Sequence, residues 1–300
     1  MPQALAAAGI GPAPTALRIA ARDFLGRSAA SLHPDLRVYL ADLVRPYGAA
    51  LREDLLAEGS GHAYGEMAEA LVRGAVTEDE PVDLLVLAFG VPDVQPGRSA
   101  ALYLSSICPG RPFAFALCDQ GTAVAYTAVR LAGDYLRSGE FQRALVVAVE
   151  QSVLHYEPVV DGGNPALPEC HAGVVLRFEG AAAANEVAVR QYPSVTAEDA
   201  VSLLSKRCSE FPGRTERRIL VLGEGLAKLC RDIDLDEHGL IVRPQHRPLT
   251  GAWSALAEHH TSWAAEGRTV VLADYESCSR TLSTCTLEPS AGPSPEPEPT

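Results

Sequence analysis

A cysteine at residue 118 is the strongest candidate for chemistry in the sequence. Residues 115–127 read FALCDQGTAVAYT, so Cys118 is followed by Asp119, Gln120 and Gly121 and then by a helical pattern that begins near Thr122. The unpaired N–H groups and the positive dipole end at the start of a helix favour a thiolate. The position suits a nucleophile, provided that the other groups of a catalytic site face it.

The same residues also fit a corner without chemistry. Asp119 and Thr122 are favourable N-cap residues and Gly121 permits a tight turn, so the segment could simply join a strand to a helix. The seven cysteines are odd in number and contain no CxxC pair, which predicts neither a disulfide framework nor a metal site. Most of them should be small core residues, and whether Cys118 is one of them stays open.

Composition limits the kinds of protein to which this corner can belong. Of the 300 residues, 47% are hydrophobic and 21% are charged, as in ordinary globular proteins. The 38 acidic residues outnumber the 25 basic ones, so nucleic-acid binding is not expected. No stretch reaches the roughly 18 apolar residues that span a bilayer, and the first residues lack a secretory signal, so we expect a cytoplasmic protein without membrane contact.

The elements around Cys118 follow an alternating pattern. Continuous apolar runs predict buried strands at 83–89, 144–150, 172–178, 219–223 and 269–275. Helical periodicity appears at 64–76, 122–137, from 224 onward and at 251–265. Buried strands that alternate with helices predict an α/β protein whose sheets are covered on both faces.

Part of this pattern occurs twice. Residues 135–152 and 263–277 both run from a helix end through a glycine and an arginine into a buried strand that ends in acidic residues and serine. This predicts an internal duplication, with an N-terminal half at 1–165 and a C-terminal half at 166–287, although short α/β units can also resemble one another by chance. The Pro- and Glu-rich segment 288–300 should be a disordered tail.

Several motifs in this order resemble one known family. They are Glu66-Met67-Ala68, Val91-Pro92-Asp93, Pro96, Tyr135 to Gly139, Ala144 to Glu150, ECHAGVVL at 169–176 and PLTGAWSALAE at 248–258. Together they resemble the thiolase-like superfamily, and within it the type III β-ketoacyl-acyl-carrier-protein synthases. The resemblance implies a layered αβαβα fold built from two similar halves.

The resemblance also implies a cysteine, a histidine and an asparagine as the catalytic residues, which this sequence matches poorly. Counting along the motifs places the family's cysteine at Thr122 or about Gln120, close to Cys118. The Val-Pro-His-Gln-Ala-Asn segment corresponds to 221–227, VLGEGLA, which has no histidine, and the asparagine falls on Leu249. Because leucine cannot polarise a thioester carbonyl, ordinary Claisen condensation is not expected.

Other residues are candidates for binding or for the missing base. By resemblance, the acyl or carrier site is lined by Asp119, Gln120, Gly121, Thr122, Leu249 and Thr250. His171 is a conceivable partner for Cys118 in a dyad, although a histidine on a buried strand is more often a core residue. Weaker candidates for the base are His155, His246, His259, His260 and Glu224.

Three roles in acyl or polyketide-type specialised metabolism follow from the resemblance. The favoured one is a catalytically degenerate subunit that pairs with an active ketosynthase-like enzyme. The alternatives are an acyltransferase or unusual condensing enzyme that uses Cys118, and a homodimeric, non-catalytic module that binds an acyl-carrier protein. Each role implies acyl-carrier-protein or coenzyme A thioesters as ligands, no other cofactor, and a homodimer or heterodimer formed through the strand at 144–150.

Overall fold

The structure, a computed structural model, describes residues 13–25, 34–59, 61–157, 167–180, 185–210, 217–231, 239–242, 244 and 246–289. The strands are β1 (Ala13–Phe24), β2 (Leu84–Phe89), β3 (Phe113–Leu117), β4 (Arg143–Glu150), β5 (His171–Glu179), β6 (Asn185–Tyr192), β7 (Arg218–Leu222), β8 (Leu240–Val242), β9 (Thr269–Glu276) and β10 (Thr281–Pro289). The helices are α1 (Pro34–Val44), α2 (Glu53–Glu58), α3 (Tyr64–Ala75), α4 (Ala100–Ile107), α5 (Ala123–Arg137), α6 (Ala197–Glu210), α7 (Glu224–Leu229) and α8 (Gly251–Ala265).

The predicted elements are confirmed. The five predicted strands are β2, β4, β5, β7 and β9, each within one residue of its predicted bounds, and the four predicted helices are α3, α5, α7 and α8. The strands that the apolar pattern missed include β6 and β10, whose sequences NEVAVRQY and TLSTCTLEP mix polar with apolar residues. Such strands pair within antiparallel ladders without forming the continuous apolar run that was used for prediction.

The strand order shows the duplication directly. It is β3-β2-β4-β5-β1 in one half and β8-β7-β9-β10-β6 in the other. In each half the first two pairings are parallel and the next two are antiparallel. Three residue pairs between β1 and β6 connect the two sheets. The expected α/β fold of two similar halves is therefore confirmed.

The halves defined by sheet pairing differ from the residue ranges expected from the sequence. Strand β5 comes after residue 165, yet it pairs with β4 and β1 and so lies in the first sheet. The tail expected at 288–300 lies outside the described residues except for Glu288 and Pro289, whose backbones pair with β6 at the end of β10.

Helices α5 and α8 form the central layer. Their buried side chains share one apolar core with the inner faces of both sheets, as the layered αβαβα fold implied by the resemblance requires. Residues 123–129 of α5 are all buried, which matches a helix that is covered on every side. Helices α3 and α4 cover the outer face of the first sheet, and α6 and α7 cover that of the second. The result is five layers, αβαβα.

Strand β4 cannot pair across a subunit boundary, so that prediction is wrong. It is hydrogen-bonded along its length to β2 on one side and to β5 on the other. A strand with both edges paired has no free N–H and C=O groups for a third strand.

No helix among the described residues has the length and apolar character to cross a membrane.

Candidate functional site

The N-terminal turns of α5 and α8 come together at one end of the central layer. Gly90, which follows β2, lies between them: a Cβ atom there would be 3.6 Å from the carbonyl oxygen of Gly121 and 3.5 Å from Cδ1 of Leu249. The first turn precedes α5 and carries Cys118, and the second precedes α8. The structure therefore brings together the two segments that the sequence resemblance assigned to one site.

Cys118 lies just after β3 as an exposed, free cysteine. Its thiol donates a hydrogen bond to Oδ2 of Asp119 over 3.1 Å. Partial burial, together with this neighbouring carboxylate, raises the pKa of the Cys118 thiol. The direction is opposite to the one expected from the helix dipole, because partial burial, followed by the Asp119 carboxylate, disfavours the thiolate.

His171 lies on the outer face of the first sheet, opposite the face that packs against α5. Side chains alternate between the two faces along β5: Val174 packs in the central layer, whereas Val175, on the same face as His171, packs against α3. Its ring meets that of His62 edge-on at 5.0 Å between centroids, and its Nδ1 accepts a hydrogen bond from the Ser152 amide. Burial, followed by the effect of His62, lowers the pKa of His171 to about 4.

Cys118 and His171 are therefore not brought together. Strands β2 and β4 separate β3 from β5, which amounts to three spacings of about 4.8 Å between strands. The sheet itself also separates His171 from the layer that contains α5. The geometry gives the thiol no imidazole base from this position.

The weaker candidates have neighbours of their own. The ring of His155 lies near Gly61, and the ring of His259 lies near that of Trp263. The side chain of His246 contacts the carboxylate of Glu169, and Glu224 forms an ion pair with Lys228. The ring of His260 is partly buried, which lowers its pKa. Among the described residues, no group of His, Cys, Asp and Glu is placed to hold a metal ion.

Asp274 lies against Gly223, in the segment 221–227 that the resemblance aligns with the family's histidine segment. A Cβ atom on Gly223 would lie 2.2 Å from Cγ of Asp274. Asp274 is only 3% exposed, and its Oδ1 accepts hydrogen bonds from the amides of Leu226 and Tyr275 at 3.2 and 2.8 Å. The segment thus has a buried carboxyl beside a glycine that lacks a side chain.

The protonation of Asp274 is set mainly by its burial. Burial raises its pKa to about 7, the nearby Glu276 acts in the same direction, and the two backbone N–H groups oppose the shift. Sequence reasoning missed this residue. The signal was present as an acidic residue inside the apolar run TVVLADY of β9.

The start of α8 is capped by Glu150, at the end of β4. The amides of Leu249 and Thr250 donate to its two oxygens at 2.9 and 3.0 Å, and the Thr250 hydroxyl donates as well. Burial raises the pKa of Glu150, against the lowering effect of the Thr250 hydroxyl and the two amides. Leu249, which the resemblance aligns with the family's asparagine, offers only an apolar side chain to the turn at Gly90.

The start of α5 is capped in the same way by Glu276, at the end of β9. The amide of Thr122 donates to Oε2 of Glu276 at 2.8 Å, and Gly121 lies so close that a Cβ atom would be 1.9 Å from the same oxygen. The two central helices thus have their N-terminal amides bonded to carboxylates, each from the opposite half of the fold.

Gln120 is turned toward the protein interior. Its Oε1 accepts a hydrogen bond from the Thr127 hydroxyl at 2.6 Å, one turn into α5. Gln191 of β6 donates to the same hydroxyl at 3.0 Å and also to the carbonyl of Ala123. Gln120 therefore supports the packing of α5 against the second sheet.

A cavity of about 490 Å³ lies elsewhere, among α1, α3, α4 and the loop that follows β2. Its polar lining comes from Glu66, Glu69, Asp93, Gln95, Arg98 and Tyr103. These residues surround the outer helices of the first sheet, away from the turn at Cys118. The cavity is therefore separate from the candidate site.

Solved structures with this architecture are condensing enzymes and an acyltransferase. AbyA1, a tetronic acid condensing enzyme, is 16% identical, with 75% of this chain and 84% of AbyA1 covered and a TM-score of 0.55. The 3-oxoacyl-[acyl-carrier-protein] synthase III of Aquifex aeolicus VF5 is 17% identical, with 74% and 82% covered and a TM-score of 0.53. ChlB3, described as an acyltransferase, is 17% identical, with 91% and 97% covered and a TM-score of 0.55.

The likeness to these proteins is one of fold. No protein-family model matches the sequence, and no curated protein matches it by sequence. The solved structures nevertheless agree with the resemblance carried by the motifs and with the duplicated five-stranded sheets. This chain has the thiolase-like fold of the β-ketoacyl synthase III-like enzymes.

Proposed function

We propose that this protein is a ketosynthase-like subunit of acyl or polyketide-type specialised metabolism that does not itself catalyse condensation and works beside an active ketosynthase-like enzyme. One observation carries the proposal: in the segment that the resemblance aligns with the family's histidine, Gly223 has no side chain and the buried carboxyl of Asp274 lies where its Cβ would be. Acyl-carrier-protein or coenzyme A thioesters would be its ligands.

The chemistry of condensation explains why this replacement matters. In the family, histidine and asparagine donate hydrogen bonds to an oxygen that becomes negative in the transition state. An ionised Asp274 would repel that charge, and a protonated Asp274 has a single O–H donor. Leu249 adds no donor. The site therefore lacks the pair of donors that histidine and asparagine supply in the family, each of which usually contributes a few kcal/mol.

The exposed edge of the first sheet is the surface to which we assign the partner subunit. Strand β3 lies at the end of the strand order and is paired on one side only, by β2. Phe113 at its start is 54% exposed, although it contacts Phe115 and Tyr135. An apolar edge strand readily pairs with another chain. We place the dimer contact there, in a homodimer or in a heterodimer with the active enzyme.

The location of the protein is part of the same proposal. The cysteines of the described residues are free thiols, as is usual in a reducing compartment. We therefore keep the cytoplasmic location expected from the sequence. An acyl-carrier protein remains a possible further partner.

Acyl transfer and condensation assays test the proposal. The protein is incubated with acyl and malonyl thioesters of pantetheine or of a carrier protein, alone and with a ketosynthase-like enzyme encoded beside it. We expect neither decarboxylation nor condensation by the protein alone, and no change in the joint product when Cys118→Ser is compared with Cys278→Ser. Condensation by the protein alone would refute the non-condensing role.

A second function is favoured by one specific observation, the exposure of Cys118 beside the α5 start. The fold likeness to ChlB3 over 91% of this chain supports the same alternative, an acyltransferase or unusual condensing enzyme that uses the thiol. Intact mass after incubation with acyl thioesters distinguishes it: an acyl adduct that is lost in Cys118→Ala would establish it. Binding of an acyl-carrier protein without an adduct or a ketosynthase-like partner would instead identify a non-catalytic binding module.

A further inference from the structure

The cavity of about 490 Å³ on the outer side of the first sheet has walls from three helices and from the loop after β2. Leu36 of α1 packs against Gly97 of this loop, where a Cβ atom would be 2.3 Å from Cδ2 of Leu36. Leu36, together with Ala63 and Ala100 at the starts of α3 and α4, gives the cavity an apolar wall. Its volume lies in the range of about 300–1,000 Å³ that is usual for small-molecule sites.

Asp93 is held in this cavity by backbone groups. Its Oδ1 accepts hydrogen bonds from the amides of Tyr64 and Gln95 at 3.1 and 3.2 Å. Among the described residues, Asp93 forms no ion pair. Burial raises the pKa of Asp93 against the effect of these amides, and the charge of Glu66 acts in the same direction as burial. A cation bound in the cavity would therefore stabilise the ionised form of Asp93.

Arg98 lines the same cavity, yet it is paired with none of the carboxylates there. Glu69 already has its own partners, because Arg73 donates to it at 2.8 Å and the Tyr103 hydroxyl donates as well. Arg98 is exposed and forms neither an ion pair nor a side-chain hydrogen bond within the part of the chain that the structure describes. The cavity thus presents a carboxylate and a guanidinium that do not neutralise each other, beside an apolar wall.

We propose that this cavity binds a small aliphatic α-amino acid. The ammonium group of the ligand contacts Asp93, and its carboxylate contacts Arg98. Its side chain lies against the apolar wall of Leu36, Ala63 and Ala100. A ligand with both charges suits this cavity best, because an amine alone leaves the guanidinium unmatched and a carboxylic acid alone brings a second negative charge toward Asp93.

Three probes with the same branched carbon chain separate the contributions of the two charges. They are L-leucine, isoamylamine, which lacks the carboxylate, and isocaproate, which lacks the amine. Isothermal titration calorimetry of the full-length protein should show saturable binding of L-leucine with a Kd below about 1 mM. Each single-charge probe should bind at least about tenfold more weakly. No binding of L-leucine at millimolar concentrations, or equally tight binding of isoamylamine, would overturn the inference.

Two variants locate the bound amino acid. In Asp93→Asn, the side-chain oxygen can still accept from the amides of Tyr64 and Gln95, so the start of α3 stays capped while the charge is lost. Both Asp93→Asn and Arg98→Gln should weaken L-leucine binding at least about tenfold. Arg45→Gln is the control, because Arg45 follows α1 and is exposed but does not line the cavity. Its affinity for L-leucine should equal that of the wild type.

Arg98→Gln keeps the inference testable even if circular dichroism shows that Asp93→Asn does not fold. Since Arg98 is exposed, its replacement should leave the fold intact. An unchanged affinity for L-leucine in this variant would overturn the inference. So would an equal loss of affinity in Arg45→Gln, because it would indicate a general effect of charge.

The inference does not rest on the proposed function, and the two have separate outcomes. Condensation by the protein alone would refute the non-condensing role without affecting the cavity. Failure to bind L-leucine would remove the amino-acid site while leaving the proposed function in place.

Discussion

The carboxyl carbon of Asp274 lies 2.2 Å from the point that a Cβ atom on Gly223 would occupy. Glycine at 223 and aspartate at 274 are therefore a matched pair, in which the missing side chain of one makes room for the other. The pair joins the end of β7 to β9, where the Gly223 amide also donates to the carbonyl of Ala273 at 2.7 Å.

Gly223→Ala should destabilise the protein by about 1–3 kcal/mol, because the added methyl group overlaps a buried carboxyl that cannot move away. Urea unfolding measures the loss. Gly74→Ala is the control, since nothing lies within 4 Å of a Cβ at that position of α3. The double variant Gly223→Ala/Asp274→Gly should recover part of the loss. If Gly223→Ala is as stable as the wild type, the two residues are not packed as described.

Asp274 should make the protein less stable as the pH rises. Its folded-state pKa of about 7 is above the ordinary value of 3.8, so the folded state binds the proton more tightly than the unfolded state. The benefit is complete at pH values below the unfolded pKa and is lost as the pH rises toward 7. Asp274→Asn should remove this dependence, so that its stability relative to the wild type rises by a few kcal/mol between about pH 4 and pH 8. Parallel stability curves for the two proteins would contradict this.

Asp119→Asn should make Cys118 more reactive. The pKa of the Cys118 thiol is raised by partial burial and by the Asp119 carboxylate, and the substitution removes the carboxylate's charge. Alkylation by iodoacetamide near neutral pH, followed by peptide mass analysis, should be roughly threefold faster at Cys118. Cys278, which is also exposed, is the internal control. An equal increase at both cysteines would indicate general loosening of the structure.

Phe113→Lys should weaken self-association or association with a ketosynthase-like partner, because it places a charge at the start of the free edge of β3. Leu240→Lys, at the other end of the strand order, is a matched control with 56% exposure against 54% for Phe113. Sedimentation velocity should show dissociation for the first variant only. Loss of assembly in Leu240→Lys but not in Phe113→Lys would place the interface at the other edge.

Arg177→Ala should cost about 1–3 kcal/mol, since it removes a buried cation that donates to two carboxylates and to a backbone carbonyl. The Arg177 side chain is 4% exposed, bonds to Glu80 and Glu179, and donates to the carbonyl of Ala75. Arg52→Ala, which removes an exposed pair with Asp54, should change stability much less than Arg177→Ala does. Denaturant unfolding of the two variants compares them, and equal losses would contradict a buried role for Arg177.

The amino-acid sequence by itself determined the architecture. Continuous apolar runs such as the one in β4 predict a sheet covered on both faces, and the repeat around β9 predicts two similar halves, because burial and periodicity are local properties of the chain. By resemblance, the sequence also placed Leu249 at the position of a hydrogen-bonding residue of the family, and the corresponding histidine segment, 221–227, has no histidine.

Only the tertiary structure decided how the site is filled. Asp274 and Glu276 lie about 150 residues from the turn at Thr122, and no local pattern shows that β9 aims their carboxylates at it. The alternation of side chains along β5 places His171 on the face of the first sheet that points away from α5. Strand β4 is paired on both edges, so the free edge of this sheet belongs to β3. Contacts between distant segments decide which face a side chain occupies and which strand edge stays unpaired. These contacts form only when the chain is folded.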